Sequence, residues 1–207
     1  MKIVTIDFDI IMAPSIDLYN NFSGSPWEER YKRHPLLKLC DADNILYHRI
    51  IQYLLWVVPK MKKENIHFIA NHQSVLNYLV NCNEPIDVIN VDHHHDIIYS
   101  EGLKKLTCGN WVSWIDKEYK LNSYLWVHDN NSRFPKEEDV TIKYEKKNFL
   151  ECKDEEYKEH SIPDKLIICL SGGWVPPQYK HLFFVLFDIC NYIHNTHYDL
   201  EDVGKGH

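Results

Sequence analysis

The sequence has few glycines and no repetitive segment. Only seven of its 207 residues are glycine, whereas 44% are hydrophobic and 13% are aromatic. Neither a low-complexity tract nor an internal repeat is present. This composition is typical of a globular protein. We therefore expect one domain spanning 1–207, which is long enough to bury a sizeable core.

The chain also lacks a long apolar run. A helix that crosses a bilayer needs about 20 predominantly apolar residues, and the sequence offers no such stretch. Its start, Met1-Lys2-Ile3-Val4, is typical of a strand rather than of a signal peptide. We expect a cytoplasmic protein with no membrane partner.

No two cysteines form a C-x-x-C pair. The six are widely scattered, and most lie in apolar surroundings: Cys40, Cys82, Cys108, Cys152, Cys169 and Cys190. This pattern indicates reduced thiols in the core of a cytoplasmic protein, and it argues against a disulfide framework or a zinc knuckle.

Positive charge is scarce as well. The chain has 23 Lys and Arg against 30 Asp and Glu, a net charge of −7. A phosphate backbone is bound by a basic face, so we expect no nucleic-acid partner. A cationic substrate is compatible with this balance. Histidine, by contrast, is abundant: there are 13, concentrated in and near the loops that follow predicted strands.

Apolar runs alternate with helical patterns along the chain. Short β-branched runs predict strands over 2–8, 66–70, 86–91, 124–127 and 166–170. Apolar periodicity predicts helices over 44–58, 74–80, 109–119 and 179–194. Asp43 is the predicted N-cap of the first helix, and Pro59 ends it. This alternation predicts an α/β fold, a mostly parallel sheet flanked by helices on both faces.

Two segments lack clear periodicity. The stretch 136–165 is charged, and we expect an exposed excursion with one strand over 140–144. The tail 199–207 is expected to be loosely ordered.

Five ionisable residues, Asp92-His93-His94-His95-Asp96, directly follow the predicted strand 86–91. Ligand sites collect at strand ends, because the strand fixes the backbone while the loop presents side chains. Alternate residues of an extended segment share a face, so Asp92, His94 and Asp96 would point together. This oxygen-rich set with one imidazole suits Mn²⁺ or a similar divalent ion. The alternative is a polar loop whose histidines are solvated or bond to one another.

Other predicted strands end in similar residues. Asp7 and Asp9 share the i, i+2 spacing of Asp92 and His94, His72 ends the next strand, and His128 with Asp129 ends a later one. The ends of parallel strands lie on one edge of a sheet, so these groups can converge. Two ions that share one carboxylate can be held by four carboxylates and two imidazoles, those of Asp7, Asp9, Asp92, Asp96, His72 and His94. Two such ions would lower the pKa of a water that bridges them. Asp7 and Asp9 could instead form only a turn or a cap.

These motifs resemble the ureohydrolase (arginase-like) superfamily. That family carries Asp-x-His-x-Asp after a strand, matched by Asp92, His94 and Asp96, and an upstream histidine at a strand end, matched by His72. Its Ser/Thr-x-Asp-x-Asp element with a following proline is matched by Thr5-Ile6-Asp7-Phe8-Asp9-Ile10-Ile11-Met12-Ala13-Pro14. The resemblance implies an arginase/deacetylase-like three-layer sandwich with two divalent ions, for which Mn²⁺ is the expected metal.

The resemblance also implies a ligand set. One ion would be held by Asp7, His72, Asp92 and Asp96. The other would be held by Asp7, Asp9, Asp92 and His94. Asp7 and Asp92 would then bridge the two ions.

The chain departs from the family in three respects. Its Asp-x-Asp element is N-terminal, where the family has it late, so we expect a circularly permuted arrangement. The chain is shorter than an ordinary arginase. The loop Cys108-Gly109-Asn110 lacks the family's proposed proton-shuttle histidine, and His93, His95 and His128 are the candidate catalytic replacements.

The chain looks more like small arginase-like proteins formerly grouped as an uncharacterised family. The features that carry this likeness are its short length, the histidine-rich run Asp92-His93-His94-His95-Asp96, Gly109-Asn110-Trp111 and Trp174-Val175-Pro176-Pro177. Some of these are peptide arginases, which convert arginine within ribosomally made precursor peptides to ornithine and release urea. The resemblance therefore implies an arginine-containing precursor peptide as partner. The oligomeric state stays open, a homo-oligomer included.

Substrate recognition is less defined by the sequence. A guanidinium needs a facing carboxylate, for which the candidates are Asp17, Glu28, Asp129 and Asp199. Asp129, Asn110 and Trp111 are the predicted substrate-binding residues. The aromatic side chains of Trp27, Trp111 and Trp174 could form the walls of the site or simply pack.

Two alternatives remain at this stage. One is another amidinohydrolase or a deacetylase of the same fold; Asp9 beside Asp7 favours two ions over the single zinc of deacetylases. The other is a non-catalytic metal- or peptide-binding module, favoured by the missing loop histidine.

Overall fold

A computed structural model of the protein describes residues 1–15, 26–33, 42–97, 105–140, 142–151, 161–198 and 200–201. The strands are β1 (Lys2–Asp7), β2 (Ile66–Ile69), β3 (Ile86–Val91), β4 (Leu121–His128), β5 (Glu145–Asn148), β6 (Lys165–Cys169) and β7 (Leu200–Glu201). They form one sheet in the order β5-β4-β3-β1-β6-β2-β7. Every pair of neighbouring strands is parallel.

Within the described ranges, four α-helices accompany the sheet: α1 (Trp27–Arg33), α2 (Asn44–Val57), α3 (Trp111–Glu118) and α4 (Lys180–His194). The Asp43 carboxylate accepts the backbone N–H groups of Ile45 and Leu46, which confirms the predicted N-cap of α2. Short 3₁₀ segments occupy Phe8–Ser15, Val58–Lys60, Lys63–Asn65, His72–Tyr78, Glu137–Asp139 and Pro177–Tyr179.

Side-chain alternation along the central strands produces a core on each face of the sheet. Val4 and Ile6 of β1 belong to the cluster that contains α2 and α4, whereas Ile3 belongs to the cluster that contains α3. Each central strand is therefore apolar on both faces, as a covered parallel sheet requires. The predicted α/β class, a parallel sheet flanked by helices in three layers, is confirmed.

The position of β1 explains how an N-terminal motif reaches the middle of the molecule. β1 lies between β3 and β6, with Ile6 paired to Val91 and Asp7 to Cys169. The residues that follow β1 and β3 therefore emerge side by side at the carboxyl edge of the sheet, where ligand sites of α/β folds lie.

Two local predictions are wrong. The strand expected over 140–144 is instead β5, which pairs with β4, and Ile142 and Phe149 beside it are buried. The sequence Glu-Lys-Lys-Asn of β5 carries no apolar signal, because an edge strand need not be buried on both sides. The helix expected from Ser74 is the 3₁₀ segment His72–Tyr78.

The expectation for the tail is also partly wrong. Leu200 and Glu201 of β7 pair with Phe68 and Ile69 of β2. Asp199 and 202–207 lie outside the described residues.

Two further predictions concern membranes and thiols. No helix in the described ranges is long and apolar enough to cross a membrane. Cys82, Cys108, Cys169 and Cys190 are free thiols; Cys169 and Cys190 are buried, as expected of core thiols, whereas Cys82 and Cys108 are only partly buried. Cys40 and Cys152 lie outside the described ranges.

Candidate metal centre

Asp7, His72 and Asp92, here called the His72 group, meet beneath the carboxyl edge of the sheet. Their potential ligand atoms lie within 4.8 Å of one another. His72 Nδ1 is 3.1 Å from an oxygen of Asp7, 3.1 Å from one of Asp92 and 3.1 Å from one of Asp96. Ligands about 2.1 Å from an octahedral ion lie about 3 Å apart, so this spacing fits a shared metal ion.

Asp9, Asp92 and His94, here called the His94 group, lie beside the first set. Their ligand atoms also lie within 4.8 Å of one another. His94 Nδ1 is 3.1 Å from Asp9 Oδ2 and 3.6 Å from Asp92 Oδ1. Asp92 directs Oδ2 to His72 and Oδ1 to His94, so this one carboxylate joins the two groups.

The same local turn builds both motifs. The backbone N–H of Asp9 donates to Asp7 Oδ1, and that of His94 donates to Asp92 Oδ1. Each aspartate thus forms an Asx turn, in which its carboxylate accepts the backbone N–H of the residue two positions later, as Asp side chains often do. The i, i+2 spacing seen in the sequence therefore produces paired ligands through a turn rather than through an extended strand.

Asp92 and His94 belong to one ligand group, as predicted, whereas Asp96 approaches the centre at His72 Nδ1, and the chain is not extended throughout. Residues 92–94 form a bend, and Asp96 has a left-handed backbone with φ 51°. His93 and His95 point away, as expected: His93 contacts Asp129, and the ring of His95 packs against Trp126.

The Asp9 carboxylate provides a direct indication that a cation belongs here. Its side chain is fully buried, neither oxygen forms a hydrogen bond among the described residues, and the close cationic group beside it is His94 Nδ1, 3.1 Å from Oδ2. Burial raises the pKa of Asp9 well above its usual value, and the neighbouring carboxylates of Asp7 and Asp92 raise it further. A divalent ion would satisfy these oxygens and offset the repulsion, so the residues present fit a metal ion.

The charged groups of the centre shift one another's pKa values. Burial by itself would lower the pKa of His72, but three carboxylates outweigh it and hold that pKa well above its usual range. The pKa of Asp96 is raised by burial and by Asp92. For Asp92, burial is outweighed by the imidazoles of His72 and His94, which lower its pKa. The site thus retains protons that a metal ion would displace.

Several supporting residues escaped sequence reasoning. Ser171 Oγ donates to Asp7 Oδ2 at 2.5 Å, and Asn90 Nδ2 donates to Asp92 Oδ2 at 3.2 Å. Thr5 Oγ1 donates to Asn90 Oδ1 at 2.6 Å. Asn90 could have been identified from the sequence, because an amide side chain inside an apolar strand needs hydrogen-bond partners once it is buried. Ser171 left none beyond the turn chemistry of Ser-Gly-Gly.

The three candidate catalytic histidines occupy different surroundings. His93 is buried, with Nδ1 2.6 Å from Asp129 Oδ2. His95 accepts the Ile97 N–H at Nδ1, and its pKa is lowered to about 4 by burial and by the charge of His94. His128 Nδ1 lies 2.8 Å from the Asp129 carbonyl oxygen. None of these contacts joins a histidine to a metal-group carboxylate, and the catalytic assignments stay predictions.

The predicted substrate-binding residues are all buried. Asn110 uses its side chain within its own loop, accepting the Thr107 N–H and donating to the Lys105 carbonyl. Trp111 is fully buried and donates its indole N–H to Asp96. Asp129 accepts the backbone N–H of Asn131 and the hydroxyl of Ser132 besides facing His93. All three side chains thus have hydrogen-bond partners within the protein, and their assignment to substrate binding stays a prediction.

The other candidates lie nearer the surface. Glu28 is exposed on α1, and the Trp27 indole donates to the Gly172 carbonyl. The Trp174 ring lies 5.4 Å from the His94 ring, so Trp174 borders the metal centre. Asp17 and Asp199 lie outside the described residues.

Comparison with known proteins adds no family assignment. No family model, no curated protein and no solved structure matches this chain.

Proposed function

We propose that the protein is a binuclear-metal hydrolase that cleaves the guanidinium group of arginine, giving ornithine and urea. The observation that carries the proposal is the pair of ligand groups joined through Asp92, with both oxygens of buried Asp9 lacking a hydrogen-bond partner in the described part of the chain. A deacetylase-type centre with one ion would leave the buried Asp9 carboxylate with the His94 imidazole, 3.1 Å away, as its cationic partner, against burial and the repulsion of Asp7 and Asp92.

Each ligand group would hold one ion, with Mn²⁺ as the expected metal. Asp7, His72 and Asp92 would bind the first, with Asp96 alongside, and Asp9, Asp92 and His94 the second. Two divalent ions held here would supply hydroxide at neutral pH and positive charge for a tetrahedral transition state. The carboxylate-rich donor set favours such hard ions over a thiolate-type zinc site.

The chain's own residues orient the ligands and handle protons. Ser171 and Asn90 hold the Asp7 and Asp92 carboxylates in place. Proton transfer to the leaving amine is proposed for His93, His95 or His128, each of which is anchored through Nδ1, to the Asp129 carboxylate, the Ile97 N–H and the Asp129 carbonyl oxygen respectively. Trp174, next to His94, would border the bound side chain.

The proposed substrate is arginine within a ribosomally made precursor peptide, processed in the cytoplasm. Support comes from the resemblance of the metal motifs and of Gly109-Asn110-Trp111 to small arginase-like proteins. The net charge of −7 suits a cationic substrate. Exposed Glu28 on α1 is a candidate guanidinium partner, since α1 is tied to Gly172 beside the centre.

Mass spectrometry tests this proposal. Mn²⁺-loaded protein is incubated with an arginine-containing peptide and, separately, with free arginine. Hydrolysis removes about 42 Da from each arginine by the two-metal chemistry. Asp92→Ala should abolish the reaction, whereas the exposed-site control Asp116→Asn should leave it unchanged.

The negative outcomes are informative. If a protein that holds two ions changes neither substrate, the arginine hydrolase proposal is wrong. Agmatine-like and acylated amines would then separate another amidinohydrolase or deacetylase from a non-catalytic module, since only the module would turn over none of them.

A further inference from the structure

Trp111 contacts the metal centre from within the protein core. Its side chain is fully buried, and its indole Nε1 donates a 2.5 Å hydrogen bond to Asp96 Oδ2. The ring also lies 4.8 Å from the His72 ring. A side chain with no exposed surface is not available to a peptide, so its function must be sought in what it holds.

Asp96 is the residue in the centre that most needs such support. Its backbone is left-handed, with φ 51°, a conformation that non-glycine residues keep only where the surroundings determine it. The first turn of α3 grips Asp96 twice: the Val112 N–H donates to its carbonyl oxygen, and the Trp111 indole donates to its carboxylate. Both contacts come from one rigid element.

The contact is specific to one carboxylate oxygen. Asp96 Oδ2 receives the Trp111 N–H and lies 3.1 Å from His72 Nδ1. The hydrogen bond from Trp111 therefore uses one lone pair of Asp96 Oδ2. It fixes the direction of the other lone pair, which is available to the His72 group. No contact of the Trp111 side chain with Asp9 or His94 is found among the described residues.

We propose that Trp111 is a positioning residue that sets the metal affinity of the His72 group by orienting Asp96. The inference rests on the proposed metal centre but not on the proposed substrate. Hydrogen bonds to metal ligands from outside the coordination sphere contribute about 10–100-fold in metal affinity. The effect belongs to one of the two ions, because Trp111 touches one group only.

Titration calorimetry with Mn²⁺ on the metal-free protein tests this. Wild type is expected to show two binding steps. Trp111→Phe removes the N–H donor and should weaken one step by about 10–100-fold while leaving the other unchanged.

The chain offers a matched control in Trp114. It lies on the same helix, and its indole N–H has no hydrogen-bond partner within the described residues. Trp114→Phe makes the same chemical change without removing a bond to the centre, so both binding steps should remain as in wild type.

A second variant separates the hydrogen bond from packing and covers a failure of Trp111→Phe to fold. Replacement of Trp111 by 3-benzothienylalanine keeps the size and shape of the ring but substitutes sulfur for the N–H. The same selective weakening supports the proposal. Wild-type affinity at both steps overturns it, as does equal weakening of both.

The outcomes also separate this inference from the proposed function. Two intact steps in wild type with unchanged steps in the Trp111 variants overturn the positioning role alone. Absence of Mn²⁺ binding by wild type overturns both the metal centre and the role of Trp111.

Discussion

Ser171 Oγ donates a 2.5 Å hydrogen bond to Asp7 Oδ2, although 164 residues separate the two in the sequence. The contact forms because β6 pairs with β1, which brings Cys169 level with Asp7 and Ser171 just beyond it. Ser171 has a left-handed backbone, with φ 47°, that turns its hydroxyl to the carboxylate. The same Asp7 oxygen lies 3.1 Å from His72 Nδ1, so Ser171 orients a ligand of the His72 group.

We expect Ser171→Ala to weaken Mn²⁺ binding by about tenfold, because Asp7 loses the donor that orients it. Equilibrium dialysis of the metal-free protein measures this. Ser113→Ala is the matched control: the Ser113 hydroxyl is buried but has no hydrogen-bond partner among the described residues, so its loss should not alter binding. Equal affinities in wild type and Ser171→Ala would refute the orienting role.

Asp9→Asn should make the metal-free protein more stable near pH 8, by about 1–3 kcal/mol. The raised pKa of Asp9 means that burial and the Asp7 and Asp92 carboxylates disfavour its charge. The unfavourable effect of a raised carboxyl pKa grows as pH rises above the unfolded value of 3.8. The gain should therefore shrink near pH 5.

Thermal unfolding at the two pH values measures the Asp9 effect. Asp116→Asn, an exposed change on α3, should shift the midpoint at neither pH. A metal-free Asp9→Asn protein that unfolds below wild type near pH 8 would contradict a destabilising Asp9 charge.

Metal stabilisation should increase with pH. Burial and neighbouring carboxylates raise the pKa of Asp9 and of Asp96, and carboxylates outweigh burial to raise the pKa of His72 and of His94. The metal-free folded protein therefore keeps protons that the unfolded chain releases. Its free energy of unfolding falls as pH rises above the ordinary pKa of each group, which is 3.8 for the aspartates and 6.5 for the histidines.

A bound ion requires deprotonated ligands, so it removes this loss. The gain in melting temperature on adding Mn²⁺ should be larger near pH 8 than near pH 6. Asp92, whose pKa is lowered below 3.8, is ionised in both the folded and unfolded states over this range and does not alter the comparison. An equal or smaller gain near pH 8 would contradict proton displacement from the centre.

Asp129→Ala should lower stability by about 1–3 kcal/mol without raising the KM for an arginine peptide. The buried Asp129 carboxylate faces His93 and accepts bonds from Asn131 and Ser132, all of which would lose a partner. Denaturant unfolding and steady-state kinetics measure the two quantities. A raised KM at unchanged stability would instead support the sequence-based assignment of Asp129 to substrate binding.

The pattern of strand ends made the fold class and the clustering of ligands predictable. Asp7, His72 and Asp92 come from three strand ends, and parallel pairing brings such ends together whatever their separation in the chain. The strand β5 was missed because its four polar residues show no alternation, and its pairing depends on backbone bonds to β4.

The supports of the centre were not predictable to the same degree. From its neighbours, which resemble an active-site loop, Trp111 is predicted to bind the substrate or simply to pack. The sequence cannot decide between these, because a helix start can bury an aromatic side chain as readily as expose it. The burial of Trp111 depends on how α3 packs on the sheet, which short motifs do not encode. The bond from Ser171 to Asp7 likewise depends on strand order.

The central claim is a two-ion centre that shares Asp92, and ion counting by native mass spectrometry tests it most directly. Protein equilibrated with Mn²⁺ should carry two ions per chain in wild type, one in Asp9→Asn and none in Asp92→Ala, since Asp92 belongs to both groups. A wild-type chain that never holds more than one ion, or an Asp92→Ala chain that still holds two, would contradict it.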